Sequence, residues 1–170
     1  MNILAGRFKG QKIRTIAKAS YRPTTSRVRK SIFDMLGDLE GCSVLDLFSG
    51  SGILGFEAAS RGAVAVTFVD NDRRNVQLLH VNSQILQNQV DIKVVRKDWI
   101  RYLRMRYKFD IIFADPPYSY EKDKFISLAI SHLKENGVLI LESSPLEFSI
   151  SPQRVKEYGD TQLTFWNNKS

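Results

Sequence analysis

Cysteine is nearly absent from this sequence: Cys42 is the only one in 170 residues, and there are two histidines. One thiol cannot close an intramolecular disulfide, and one cysteine with two histidines cannot assemble a zinc centre from the usual sulfur and nitrogen ligands. A disulfide scaffold and a structural zinc module are excluded, and no metal is expected. No apolar run approaches the roughly 20 residues that span a bilayer. Arg7, Lys9, Lys12 and Arg14 interrupt the start, where a signal peptide needs its apolar stretch. The expectation is a soluble, monomeric protein of a reducing compartment, the cytoplasm, without a membrane partner.

Acidic residues are missing from the first 30 positions. That segment carries nine basic side chains (Arg7, Lys9, Lys12, Arg14, Lys18, Arg22, Arg27, Arg29, Lys30), whereas the other 140 residues carry 16 basic and 18 acidic ones. The formal net charge of +7 is therefore a surplus of the N-terminal segment on a near-neutral body. Clustered Lys and Arg gain affinity for a polyanion by releasing its counterions. Charge alone does not separate that role from a solvated basic face.

The length suits one domain, read as a basic N-terminal hairpin or arm over 1–25 and a core over 26–170. Asn2 to Phe8 and Gln11 to Thr15 read as strands of a hairpin turning at Lys9-Gly10. Thr25 or Ser26 offers an N-cap to a helix with the apolar stripe Val28, Ile32, Met35 and Leu36. Strands and helices then alternate. Strands are expected at Ser43 to Leu47, Ala65 to Val69, Ile92 to Arg96, Phe109 to Ala114 and Val138 to Leu141. Helices are expected at Ile53 to Arg61, Arg73 to about Gln87 and Lys122 to Lys134, with a short basic one between strands three and four. Arg154 to Tyr158 and Thr161 to Trp166 form a closing hairpin. Short buried strands between helices imply an α/β, doubly wound, Rossmann-like fold, with a mostly parallel seven-stranded sheet and an antiparallel C-terminal hairpin.

Ligands of such sheets sit beyond the carboxyl ends of the strands. Asp46, Asp70, Asp98 and Asp115 all fall there. Gly50 to Gly55 matches G-x-G-x-x-G, and Asp70 lies 20 residues after Gly50, as a dinucleotide site requires. A pyrophosphate on that turn would face the Asp46 carboxylate, which is costly. S-adenosylmethionine carries a sulfonium and an ammonium that carboxylates stabilise, and no phosphate.

Val44 to Gly52 resembles motif I of the S-adenosylmethionine-dependent methyltransferases, and Asp115-Pro116-Pro117-Tyr118 resembles their (D/N)PP(Y/F) motif IV. With Tyr21-Arg22-Pro23-Thr24, Arg27-Val28-Arg29, Glu57-Ala58 and Ser60 to Ala63, nearly the whole chain is similar to the bacterial 16S ribosomal RNA guanine-N2 methyltransferase family. Lys30 stands where that family often has an acid, and Trp99 where a small residue is common. The resemblance implies S-adenosylmethionine as cofactor. Its methionine part falls to Asp46, Phe48, Ser49, Gly50, Ser51 and Gly52, its ribose to Asp70 with Asn71, and its adenine to Asp98 and Trp99. The implied partner is 16S rRNA, in the small ribosomal subunit or an assembly intermediate.

An exocyclic amine is a weak nucleophile because its lone pair is delocalised into the base. The Asp115 carboxylate and the Pro116 carbonyl can accept its two protons and localise that pair. Pro116 and Pro117 fix the backbone there, and Tyr118 stacks on an unpaired or flipped-out base. Arg7, Lys9, Arg22, Thr24, Arg27 and Arg29 are the expected RNA contacts, with Phe8 or Tyr21 as stacking surfaces. Arg101, Arg104 and Lys108 either extend that surface or form a solvated face. His80 and His132 read as partly buried structural residues, and Cys42 as a small buried one. DNA adenine-N6 or cytosine-N4 methylation uses the same tetrapeptide, but the chain lacks a target-recognition domain. A silent RNA-binding module and an NAD-dependent oxidoreductase are the remaining alternatives.

Overall fold

A computed structural model describes residues 1–16, 24–86, 89–117 and 120–168. Tyr21, Arg22, Gln87 and Tyr118 lie outside these described residues. The helices are α1 (Ser26–Leu36), α2 (Ile53–Ser60), α3 (Arg73–Ser83), α4 (Trp99–Leu103) and α5 (Lys122–Ile130). The strands are β1 (Ser43–Leu47), β2 (Ala65–Asp70), β3 (Asp91–Arg96), β4 (Phe109–Ala114), β5 (Leu133–Ser143), β6 (Arg154–Tyr158) and β7 (Thr161–Asn167). They form one seven-stranded sheet in the order β3-β2-β1-β4-β5-β7-β6. The first five strands are parallel, and β7 is antiparallel to both β5 and β6.

Period-two alternation divides the core into two layers. In β4, Ile111 and Phe113 pack with Phe33 of α1, Phe56 of α2 and Leu79 of α3. Ile112 and Ala114 face Tyr102 of α4 and Phe125 and Ile126 of α5. Both faces are covered, which explains why the central strands read as continuous apolar runs. Caps fix the helix starts: Thr25 accepts from Val28 N and Asp72 from Arg74 N.

Helix α2 is buried at all eight positions, and glycine makes its close approach to the sheet feasible. A Cβ on Gly55 would lie 2.3 Å from the Phe68 ring of β2. Gly52, at φ +78, would press a Cβ on Leu79, Phe56 and Phe68. Filling either position costs about 1–3 kcal/mol through overpacking.

The other side of α2 carries the N-terminal arm. The expected hairpin is reduced to one bridge, Asn2 with Lys12, closed by Ile3 N to Gln11 O and Ile13 N to Met1 O. The strands stop because α2 supplies other hydrogen-bond partners. Leu4 N and Ala5 N donate to the Glu57 carboxylate at 2.7 and 3.1 Å, and Phe8 N donates to Ser60 Oγ. Phe8 is 7% exposed and belongs to the core, so it is not a stacking surface.

Other boundaries moved for similar local reasons. Helix α5 stops at Ile130 because Leu133 already pairs with Phe109, and β5 runs through the left-handed Asn136. His132, beyond the helix, is buried with ring nitrogens at 2.9 Å from Leu128 O and 3.0 Å from Met105 O. His80 is exposed. The buried face of α3 is Asn75, Leu79 and Asn82, whose amides donate to the Asp70 carboxylate and to the Arg14 and Ser51 carbonyls. Hydropathy undervalues such satisfied amides, which is why His80 reads as partly buried from the sequence. Cys42 is half-buried. No helix among the described residues is long and apolar enough to cross a membrane, and none of their His, Cys, Asp and Glu side chains cluster as a metal centre.

Glu57 is fully buried, receives Arg61 Nε at 2.8 Å and lies 3.7 Å from Arg29 Nε. Glu57→Ala removes the counter-charge of a buried Arg29 and strands two backbone N–H groups. It should destabilise the fold by about 3–5 kcal/mol, measured by urea unfolding; a loss below about 1 kcal/mol would contradict this anchoring role.

Candidate active site

Strand order reverses between β1 and β4, so the crevice outside their carboxyl ends is the expected ligand position. After β1 the chain turns through Phe48, at φ 58, and Gly50, at φ 54. A left-handed aromatic residue is an uncommon, strained backbone state. Neighbouring hydrogen bonds hold it: Ser49 Oγ donates to Asp46 O at 2.6 Å and accepts from Val69 N, and Gly50 N donates to Asp70 Oδ2 at 2.9 Å. Asp70 also accepts from Asn75 Nδ2 and Asp72 N. It thus ties the β1 turn to the start of α3.

Asp46 is 3% exposed and accepts from Gly55 N at 3.0 Å. Burial drives its pKa well above the ordinary carboxylate value, and the charges of Asp70 and Asp115 push it the same way, against the Gly55 hydrogen bond. Asp115 follows β4. Burial, and then the charge of Glu142, raise its pKa to about 7. Asp98 caps α4 by accepting from Ile100 N at 2.9 Å.

A cavity of about 510 Å³ opens along this edge, within the size range of nucleotide and cofactor sites. It brings together Phe48, Gly50, Asp70, Asn71, Asp98, Trp99, Asp115, Pro116 and Pro117 of the sequence-selected residues. Asp46, Ser49 and Ser51 line a smaller space of about 30 Å³ that shares Phe48, Gly50 and Asp115 with it. Gly52 lines neither and serves the packing of α2. Trp99 stands edge-on to Phe125 with centroids 5.1 Å apart and forms part of the cavity wall.

Glu142 and Tyr120 are among the wall residues that the sequence does not single out. Glu142, near the end of β5, obeys the strand-end rule that picked out the four aspartates, and that rule could have found it. Tyr120 has no such signal. Its buried hydroxyl has no hydrogen-bond partner among the described residues, and burial, then Asp115 and Asp123, push its pKa up to about 12.

The expected RNA contacts divide. Arg7, Lys9 and Arg27 are exposed. Arg29 is 2% exposed, donates to Asn2 O at 2.8 Å and faces Glu57; it is a structural cation and cannot reach a phosphate. Thr24 is buried, lines the smaller space and donates to Glu142 Oε2 at 2.6 Å, so it belongs to the pocket and not to an outer RNA surface. Lys30 forms an exposed pair with Asp34. Arg101, Arg104 and Lys108 are exposed around α4.

In fold the chain is an α/β methyltransferase. It belongs to the family described as "Conserved hypothetical protein 95", which matches residues 1–167. It is 32% identical over 161 residues to the "Ribosomal RNA small subunit methyltransferase D" of Haemophilus influenzae, covering 90% of this chain and 83% of that protein. With the protein of the same name from Escherichia coli K12 it shares 31% identity over 150 residues, 84% of this chain and 71% of the relative. The solved structure of a hypothetical protein from Thermus thermophilus matches with a TM-score of 0.84 at 26% identity, covering 97% and 98% of the two chains.

An aspartate pKa of about 7 against about 3.9 in the unfolded chain has a stability consequence. The folded state keeps a proton that the unfolded state releases, so the contribution of Asp115 is fully present below about pH 4 and is lost as the pH rises to about 7. Asp115→Asn removes this dependence. The Tm of the variant relative to the parent should climb between about pH 4 and pH 7 and level off above; a difference independent of pH would contradict the raised pKa.

Proposed function

We propose that the chain is an S-adenosylmethionine-dependent methyltransferase that modifies the exocyclic N2 amine of a guanine in small-subunit ribosomal RNA. The observation that carries this reading is the position of Asp115-Pro116 at the carboxyl end of β4, on the wall of a cavity lined by carboxylates. Names of relatives at 31–32% identity support the ribosomal RNA substrate.

The residues suit the cofactor. Buried carboxylates with raised pKa values at Asp46 and Asp115 favour an incoming positive charge and oppose a phosphate. The buried Tyr120 hydroxyl offers one donor to a ligand. Asp46 and the turn from Phe48 to Gly52 would hold the methionine end, Asp70 and Asn71 the ribose, and Asp98 and Trp99 the adenine. Bound there, S-adenosylmethionine supplies an electrophilic methyl group on a sulfonium.

Asp115 and the Pro116 carbonyl accept the two protons of the target amine. This draws the nitrogen towards a tetrahedral geometry and aims its lone pair. Proline suits the position because it fixes φ and adds no competing donor. Tyr118 is assigned the stacking surface for the base. Arg7, Lys9, Arg22 and Arg27 are assigned the RNA backbone.

The test is radiolabelled methyl transfer to naked 16S rRNA, assembled small subunits and DNA, followed by digestion to the modified base. Label is expected in guanine of the ribosomal RNA; label chiefly in adenine or cytosine contradicts the reading. Asp115→Ala should lower kcat/KM by about 10²–10³-fold with the cofactor Kd changed less than about threefold. A large loss of cofactor binding would show that Asp115 has another role.

A further inference from the structure

Glu142 lines the cavity and has no task in the reaction described so far. Asp115 and Glu142 sit side by side, one residue beyond the parallel pair Ala114 with Leu141 on adjacent strands β4 and β5. Both line the same cavity. They are close enough that the charge of Glu142 helps to raise the Asp115 pKa. Glu142 is 7% exposed, and its orientation is set by Thr24, whose hydroxyl donates to Oε2 at 2.6 Å. A carboxylate offers about four acceptor positions, so the Thr24 bond does not by itself fill it.

A pair of neighbouring acceptors needs a ligand edge with neighbouring donors. Guanine has one: N1–H lies beside the N2 amine. Adenine places its N6 amine beside an N1 lone pair, and cytosine places its N4 amine beside an N3 lone pair. Either base would set a lone pair against the second carboxylate, which is costly in a buried site.

Building on the proposed reaction, we propose that Glu142 accepts the guanine N1–H while Asp115 accepts the N2 amine. Glu142 is then the residue that selects guanine among the amine-bearing bases, and Thr24 is a positioning residue that holds its carboxylate. A site built to bond a substrate N–H rejects analogues that lack it far more strongly than a site of matching shape alone.

The test uses the full chain with small-subunit RNA carrying guanine or 2-aminopurine at the methylated nucleotide. 2-Aminopurine keeps the N2 amine and replaces N1–H with a lone pair. The parent protein should prefer guanine by about 10²-fold or more in kcat/KM. Glu142→Gln, whose amide can donate to that lone pair, should shrink the preference to within about tenfold, and Thr24→Val should reduce it partially. Cofactor Kd and Tm show whether each variant is folded. The parent comparison requires no variant, so a misfolded Glu142→Gln does not protect the proposal. Equal rates on the two bases, or a Glu142→Gln loss of equal size on both, would overturn it. An absence of guanine methylation by the parent, with cofactor binding intact, would overturn the proposed function together with this inference, whereas guanine methylation with equal use of 2-aminopurine removes the inference alone.

Discussion

Burial of neighbouring carboxylates is the constraint on which the site depends. Asp46, Asp70, Asp115 and Glu142 converge on one sheet edge, and Asp46 and Asp115 are pushed towards protonation by burial and by the charges of their neighbours. Water would solvate these groups more cheaply than the protein does. The arrangement persists because surrounding donors fix it: Gly55 N donates to Asp46, and Gly50 N and the Asn75 side-chain amide donate to Asp70. The fold therefore holds a negative crevice ready for a cation and for amine protons. Preorganisation of this kind spares reorganisation at the moment of reaction.

Helix α2 carries that order through the rest of the molecule. Its glycine face seats against Phe68, its start delivers Gly55 N to Asp46, and its far side supplies Glu57 and Ser60 to the arm. Charge is thus partitioned. Carboxylates face the crevice, Glu57 neutralises Arg29 inside, and Arg7, Lys9 and Arg27 remain outside for a polyanion.

Much of this was legible because buried parallel strands read as apolar runs ending in chemically useful residues. β4 and β6 fall where the pattern puts them, and the strand-end rule assembles Asp70, Asp98 and Asp115 on one cavity. The misreadings share a physical origin in contacts distant along the chain. Arg29 reads as a surface cation because its partner, Glu57, lies on α2, one strand further along the chain. The arm looked like a hairpin because its N–H groups are satisfied by side chains of α2. His80 looked buried because two satisfied asparagines, Asn75 and Asn82, occupy the inner face of α3. Thr24 looked like an RNA contact, and only the fold brings it to Glu142.

The claim that the crevice awaits positive charge is tested most directly by counting protons. Titration calorimetry near pH 7, in buffers of different ionisation enthalpy, measures proton release on ligand binding. S-adenosylmethionine should expel a substantial fraction of a proton as its cationic groups ionise Asp46 and Asp115. S-adenosylhomocysteine, which lacks the sulfonium, should expel measurably less. Equal release by the two ligands, or none by either, would contradict the account.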